Sequence, residues 1–196
     1  MSKFAEFSPG DSESRHSAPD SLIIRAALTA DLPALAKIAA ERDGEPFEKW
    51  QTAFEHLLTE CAGGESLLLV AELAGTIAGY GKAAYFAPPA DSPPNVAPAG
   101  FYLTGVIVDP AFRRRGLGHE LTRARLDWIR DRSPRAYYFA NERNRVTIAL
   151  HQALGFVELT RDFTHPQVRF EGGAGILFVC DNGATVPPAP AKIRTV

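Results

Sequence analysis

The sequence predicts one α/β (α+β) domain built on a mixed, mostly antiparallel twisted sheet, with helices on both faces and a central β-α-β unit. Three observations carry this. Residues 66–86 alternate or run apolar around the dipeptide Ala74-Gly75, as a hairpin does. Residues 47–61 and 117–130 carry apolar side chains at helical spacing. Between them and the end, a strand, a glycine loop, a helix and another strand follow one another over 101–140, an order that makes two strands parallel. A chain of 196 residues with 45% apolar and 22% charged residues suffices for one core. Composition excludes disorder throughout, and the length argues against a repeat array.

The elements follow in order. Residues 1–20 are rich in Ser, Pro and charge, and 183–196 in Pro and Ala; both read as flexible tails around a domain at 21–182. Leu22-Ile23-Ile24-Arg25 reads as a short strand. Thr29, Asp31 and Pro33 open a helix that carries Leu32, Leu35, Ile38 and Ala39. Pro46 precedes a second helix, whose face holds Phe47, Trp50, Phe54, Leu57, Leu58 and Cys61, so Cys61 reads as a core residue. The hairpin of 67–72 and 76–86 comes next. Ala87 to Gly100 holds five prolines, and so long a connection is functional or mobile. Phe101 to Val108 is a strand stopped by Asp109-Pro110, because proline gives a ladder no donor. The helix near 117–130 places Leu117, Leu121, Ala124 and Trp128 on one side and His119, Glu120, Arg123, Asp127 and Arg130 on the other. Strand 136–140, a helix from about Asn144 to Leu154 closed by Gly155, and late strands at 156–163 and 174–179 complete the order.

The turn into the 117–130 helix concentrates the chemistry. In Pro110-Ala-Phe-Arg113-Arg114-Arg115-Gly116-Leu117-Gly118-His119, two glycines permit close approach of main chain to a ligand, and the helix start leaves N–H groups unpaired at the positive end of its dipole. Such a turn suits a phosphate. Ten arginines stand against four acids between Arg113 and Arg145, a local +6 on a molecule of net −2, so the rest of the chain is at −8. That contrast fits a compact polyanion better than a long nucleic acid, although a solvated arginine-rich helix gives the same count. The G-x-x-x-x-G-K-[ST] phosphate loop is absent, and Leu121 stands where a dinucleotide fingerprint needs its third glycine. Cys61 and Cys180 form no metal-binding or redox pattern, no apolar leader or membrane-length run occurs, and the expectation is a metal-free cytoplasmic protein away from membranes and nucleic acid.

Val108-Asp109-Pro110, the R-x-x-G-x-G of Arg113 to Gly118, and downstream Asn144, Ile148, Leu150 and Leu154-Gly155-Phe156 together resemble the GNAT superfamily of acetyl-CoA-dependent N-acetyltransferases. The resemblance spans roughly residues 22–180. It implies a GNAT-like fold whose β-α-β unit binds acyl-CoA, with main-chain amides of Arg113, Arg114, Arg115, Gly116, Leu117, Gly118 and His119 around the pyrophosphate. It implies that the pantetheine arm of acetyl-CoA lies along Val106, Ile107 and Val108, where the family's strand bulges away from its neighbour. Gly105 is independent support, because a lone strand glycine marks a bulge or a packing accommodation. Asn144 matches a family asparagine that caps the last helix and can reach the cofactor arm. A homodimer pairing through late strands is a further implication.

The implied reaction is acetyl transfer to a primary amine, of a small molecule or a peptide, by direct attack in a ternary complex. An amine near pKa ~10 must lose a proton, and the departing thiolate must gain one. Seven residues after the family asparagine, relatives often carry a tyrosine as acid; His151 stands there instead, as an acid of suitable range or as a packed structural histidine. Residues 101–108 hold no carboxylate to act as base, leaving Glu72, Tyr85, Tyr102 and Glu142 as candidates through water. The acceptor is expected against Asp43 to Pro46 and the proline-rich segment, where Asp43 and Glu45 either attract a cation or simply form a turn. The alternative function is a non-catalytic acyl-CoA-binding or sensing domain.

Overall fold

The computed structural model describes residues 21–166, 168–170 and 173–181. The two tails expected at 1–20 and 183–196 lie outside the described residues. The elements run β1 (Leu22–Ala26), α1 (Leu32–Asp43), α2 (Phe47–Cys61), β2 (Ser66–Leu73), β3 (Thr76–Phe86), β4 (Gly100–Val108), α3 (Leu117–Arg130), β5 (Arg135–Asn141), α4 (Arg145–Ala153), β6 (Val157–Thr160) and β7 (Gly175–Asp181). Single 3-10 turns, Thr29–Asp31 and Pro110–Phe112, precede α1 and follow β4.

The seven strands form one sheet in the order β1-β2-β3-β4-β5-β7-β6. Every pairing is antiparallel except β4 with β5, the two strands that α3 connects. The apolar faces sort the helices. Leu32, Leu35, Ile38 and Ala39 of α1 and Phe54 of α2 pack with Leu68, Val70 and Tyr80 on one face. On the other face, Leu117 and Leu121 of α3 meet Leu69, Ala71 and Ala78, and Leu126 and Ile129 meet Ala83, Leu103, Tyr138 and Phe178. Cys61 packs half-buried against the α1–α2 cluster.

Local chemistry explains the joints. Arg25 donates to both oxygens of Asp31 at 2.7 and 2.9 Å and to Glu72 at 2.9 Å, tying β1 to β2 and to the start of α1. The guanidinium holds the Asp31 carboxyl below its usual range, and the same carboxylate accepts from Leu28 N. The long connection before β4 is strapped down. Ala97 N donates to Thr164 O, Thr164 N to Asn95 O, and the Asn95 amide to Asp162 at 2.7 Å. The strand expected at 156–163 ends at Thr160 instead, so Phe163 and Thr164 belong to the loop that makes this strap.

Candidate functional site

The site begins with a fault in the sheet. β3 pairs with β4 regularly from Phe86–Gly100 to Ala83–Leu103, slips one residue, and resumes at Gly81–Val106. Two residues, Thr104 and Gly105, oppose Lys82, which defines a β-bulge. Gly105 takes φ +138°, a conformation side chains rarely adopt. On the other edge, β4 pairs with β5 only over Phe101–Leu103. Beyond that point the strands part, and Val106, Ile107 and Val108 have no ladder partner on the β5 side among the described residues. These half-buried residues therefore present an edge without a strand partner, at whose end Arg113 Nε reaches Val108 O at 3.3 Å.

The helix α3 starts over the end of that edge: a Cβ on Gly118 would lie 4.0 Å from the Val108 side chain and 3.7 Å from Leu150 of α4. The approach is shaped by alternating backbone hands. Arg113 is extended, Arg114 has φ +64° and Gly116 φ +78°. Asp109 fixes the entry by accepting from Ala111 N at 2.8 Å. Arg115 closes the turn over Arg113 and Arg114, the amides of Gly116, Leu117, Gly118 and His119 find no acceptor among the described residues, and the ladder of α3 begins with Glu120 N to Gly116 O. Arg113, Arg114, Arg115 and His119 are exposed around them. Converging donors with the positive end of a helix form an anion cradle.

Asn144 caps α4 by accepting from Thr147 N at 3.4 Å. One helical face further, His151 is 1% exposed and lies flat on Tyr138, ring centroids 3.7 Å apart. Its Nδ1 is 2.7 Å from the Thr147 carbonyl, which can only accept, so Nδ1 carries the proton. Nε2 is buried and has no partner among the described residues. Burial pushes the imidazole pKa down to about 3. A neutral ring whose one N–H faces the Thr147 carbonyl offers no acidic proton at neutral pH, which runs against the expected general acid.

The candidate bases are scattered. Glu72 is engaged by Arg25, and Glu142 by Ala174 N and Arg161. Tyr102, 1% exposed, donates to Pro98 O, and exposed Tyr85 stacks edge-on against Phe101. The geometry brings two other residues to the bulge. Arg125, which the sequence pattern assigns to a basic face, is wholly buried beneath it. Lys82 lies on the opposite face of β3, two residues from Tyr80, with its Cε 3.6 Å from a Cβ built at Gly105. Burial is the first cause of a lowered Lys82 pKa, with Arg42 adding to it. Periodicity gives no sign of either, since both depend on what the slip in register brings together. A narrow cleft beside the free edge is lined by Ile38 and Arg42 of α1 with Ile107, Val108 and Arg113. A larger hollow of about 710 Å³ lies between α4 and β6–β7, where Arg161 is paired with Glu142 and Glu158.

Comparison with known proteins gives this geometry a context. The sequence model of the acetyltransferase (GNAT) family matches residues 35–156. No curated protein matches the chain in sequence. Among solved structures, yncA from Salmonella typhimurium, with its cofactor acetyl-CoA, superposes with TM-score 0.63 at 20% identity, over 87% of this chain and 99% of that one. The ribosomal-protein-alanine N-acetyltransferase from Brucella melitensis gives TM-score 0.60 at 22% identity, over 81% and 99%. A chimera of the Vibrio cholerae spermidine N-acetyltransferase SpeG and hSSAT gives 0.58 at 16%, over 83% and 96%. These likenesses are in fold.

Proposed function

The chain belongs to the acetyltransferase (GNAT) family, and we propose that it transfers the acetyl group of acetyl-CoA to a primary amine by direct attack in a ternary complex. One observation carries the reading. Four consecutive amides, Gly116 to His119, find no acceptor among the described residues in an exposed turn at the end of a strand whose outer edge has no strand partner there. In this proposal the turn holds the pyrophosphate, assisted by the charges of Arg113, Arg114 and Arg115. The pantetheine arm adds to the free edge along Val106, Ile107 and Val108, as a peptide adds to an open strand. Asn144 orders the start of α4 beside it.

The amine nitrogen attacks the thioester carbonyl, the C–S bond breaks, and the sulfur leaves as thiolate while the ammonium proton passes to solvent. Neither thiol suits an acyl-enzyme. Burial raises the pKa of both Cys61 and Cys180, which keeps them protonated. His151, with its proton on Nδ1 toward Thr147 O, supplies no acid in this reading, and water protonates the thiolate. The amine, the homodimer and the cytoplasmic setting belong to the same proposal.

The missing acid and the absence of a carboxylate on β4 favour a second reading, an acyl-CoA-binding domain without turnover. Two measurements decide. Gly118→Trp is expected to keep the fold and abolish acetyl-CoA binding by calorimetry; unchanged affinity overturns the cradle. Release of free thiol from acetyl-CoA with a panel of amines and peptides is expected of the enzyme, and binding without release identifies the sensor.

A further inference from the structure

Arg125 lies fully buried in the middle of α3, and among the described residues no carboxylate pairs with it. All its partners are oxygens of other kinds. Nε donates to Leu121 O at 3.0 Å and Nη2 to Thr122 Oγ1 at 2.8 Å, both on its own helix. Nη1 spends its two hydrogens on Lys82 O at 2.9 Å and Gly105 O at 2.8 Å. Those two carbonyls belong to the opposed residues of the bulge, one on each strand. β3 makes room with a glycine, since a Cβ on Gly81 would come within 2.8 Å of Nε.

We propose that Arg125 is a positioning residue that pins the β4 bulge to β3 and α3, and so fixes the free edge 106–108 on which the cofactor arm would lie. The inference deepens the proposed acetyl-CoA reading and rests on it. A bulge disturbs the local ladder, and buried carbonyls are costly without donors. A planar guanidinium supplies two donors from one nitrogen in a fixed fork, and carbonyl oxygens solvate its charge. Lysine offers a compact ammonium without that fork, and methionine offers no donor. Without the pin, the strand can return to an even ladder, and a slip of one residue turns Val106 and Val108 to the opposite face.

The test uses Arg125→Lys and Arg125→Met in the full chain, with Gly81→Ala as a variant that displaces the guanidinium while retaining it. Thermal melts establish folding. Amide hydrogen exchange at residues 104–108 reads the bulge in the ligand-free protein, and calorimetry compares acetyl-CoA with adenosine 3′,5′-bisphosphate, which lacks the pantetheine arm. Folded variants are expected to exchange about tenfold faster at 104–108 and to lose about tenfold in acetyl-CoA affinity, while bisphosphate binding stays level. Unchanged exchange in a folded variant overturns the proposal, as does an equal loss for both ligands. If the unsubstituted protein binds no acetyl-CoA, the functional reading fails, and with it the assignment to a cofactor edge; the exchange result then separately decides whether Arg125 holds the bulge. If both Arg125 variants fail to fold, Gly81→Ala decides the matter on the same readouts.

Discussion

His151 and Arg125 are both buried bases, and burial affects their charge differently. Imidazole ordinarily titrates near neutrality, so desolvation to a pKa of about 3 leaves it neutral. Guanidinium begins so high that the same penalty, which brings it to about 9, leaves it cationic among four oxygen acceptors. Stability inherits a pH dependence from the histidine. The folded His151 pKa lies below the unfolded reference of 6.5, so the unfolded chain binds the extra proton between about pH 6.5 and 3. Stability is complete above that window and is lost on acidification, at up to about 1.4 kcal/mol per pH unit. Urea midpoints measured from pH 7 to 4 should fall less steeply in His151→Phe than in the unsubstituted protein; parallel slopes would place the acid sensitivity elsewhere. The sequence locates this histidine at the family's tyrosine position, but its tautomer is set by Thr147 O and one of its faces is covered by the Tyr138 ring, which only packing reveals.

At the scale of elements, β4 is a strand with a fault on one edge and no neighbour on part of the other. Gly105 announces the fault, because its φ of +138° is costly for any residue with a side chain. Space is not the obstacle, as the nearest atom to a built Cβ is Lys82 Cε at 3.6 Å. Gly105→Ala should therefore cost about 1–3 kcal/mol through backbone strain, read by chemical unfolding, and a neutral effect would mean that the bulge had moved. Asn144→Ala should cost less, about 0.5 kcal/mol, since the cap hydrogen bond to Thr147 N is long at 3.4 Å. The proline-rich connection shows the reverse relation. Its composition suggests a functional or mobile loop, yet its partners at 162–164, nearly 70 residues away in sequence by the Asn95–Asp162 pair, tie it down. No window of local sequence contains that information.

Over the whole molecule, the ten arginines between 113 and 145 do not make one continuous basic face. Arg125 is interior, while Arg123 pairs with Glu120, Arg130 with Asp127 and Arg135 with Asp181. Arg113, Arg114 and Arg115 are exposed beside the amide cradle, while the exposed Arg132, which lies over the Trp128 ring, and the exposed Arg143 and Arg145 stand on other parts of the surface. Acetyl-CoA affinity should accordingly weaken as salt rises, and the combined Arg113→Gln, Arg114→Gln and Arg115→Gln variant should flatten that dependence; calorimetry across a salt series checks both. A slope unaltered by the triple substitution would locate the anion elsewhere.

The order of strands and helices, the hairpin at Ala74-Gly75, the stop at Asp109-Pro110 and the glycine turn into α3 were determined by the sequence itself. Each is written in consecutive residues as periodicity, a missing donor or a permitted dihedral. The strap that ties the proline-rich connection to 162–164, the interior place of Arg125 and the burial of His151 Nε2 were decided only by the tertiary structure. Arg125 meets Gly105 and Lys82 across separations of 20 and 43 residues, and a charge or proton buried by such partners takes its energy from neighbours that the local chain cannot name.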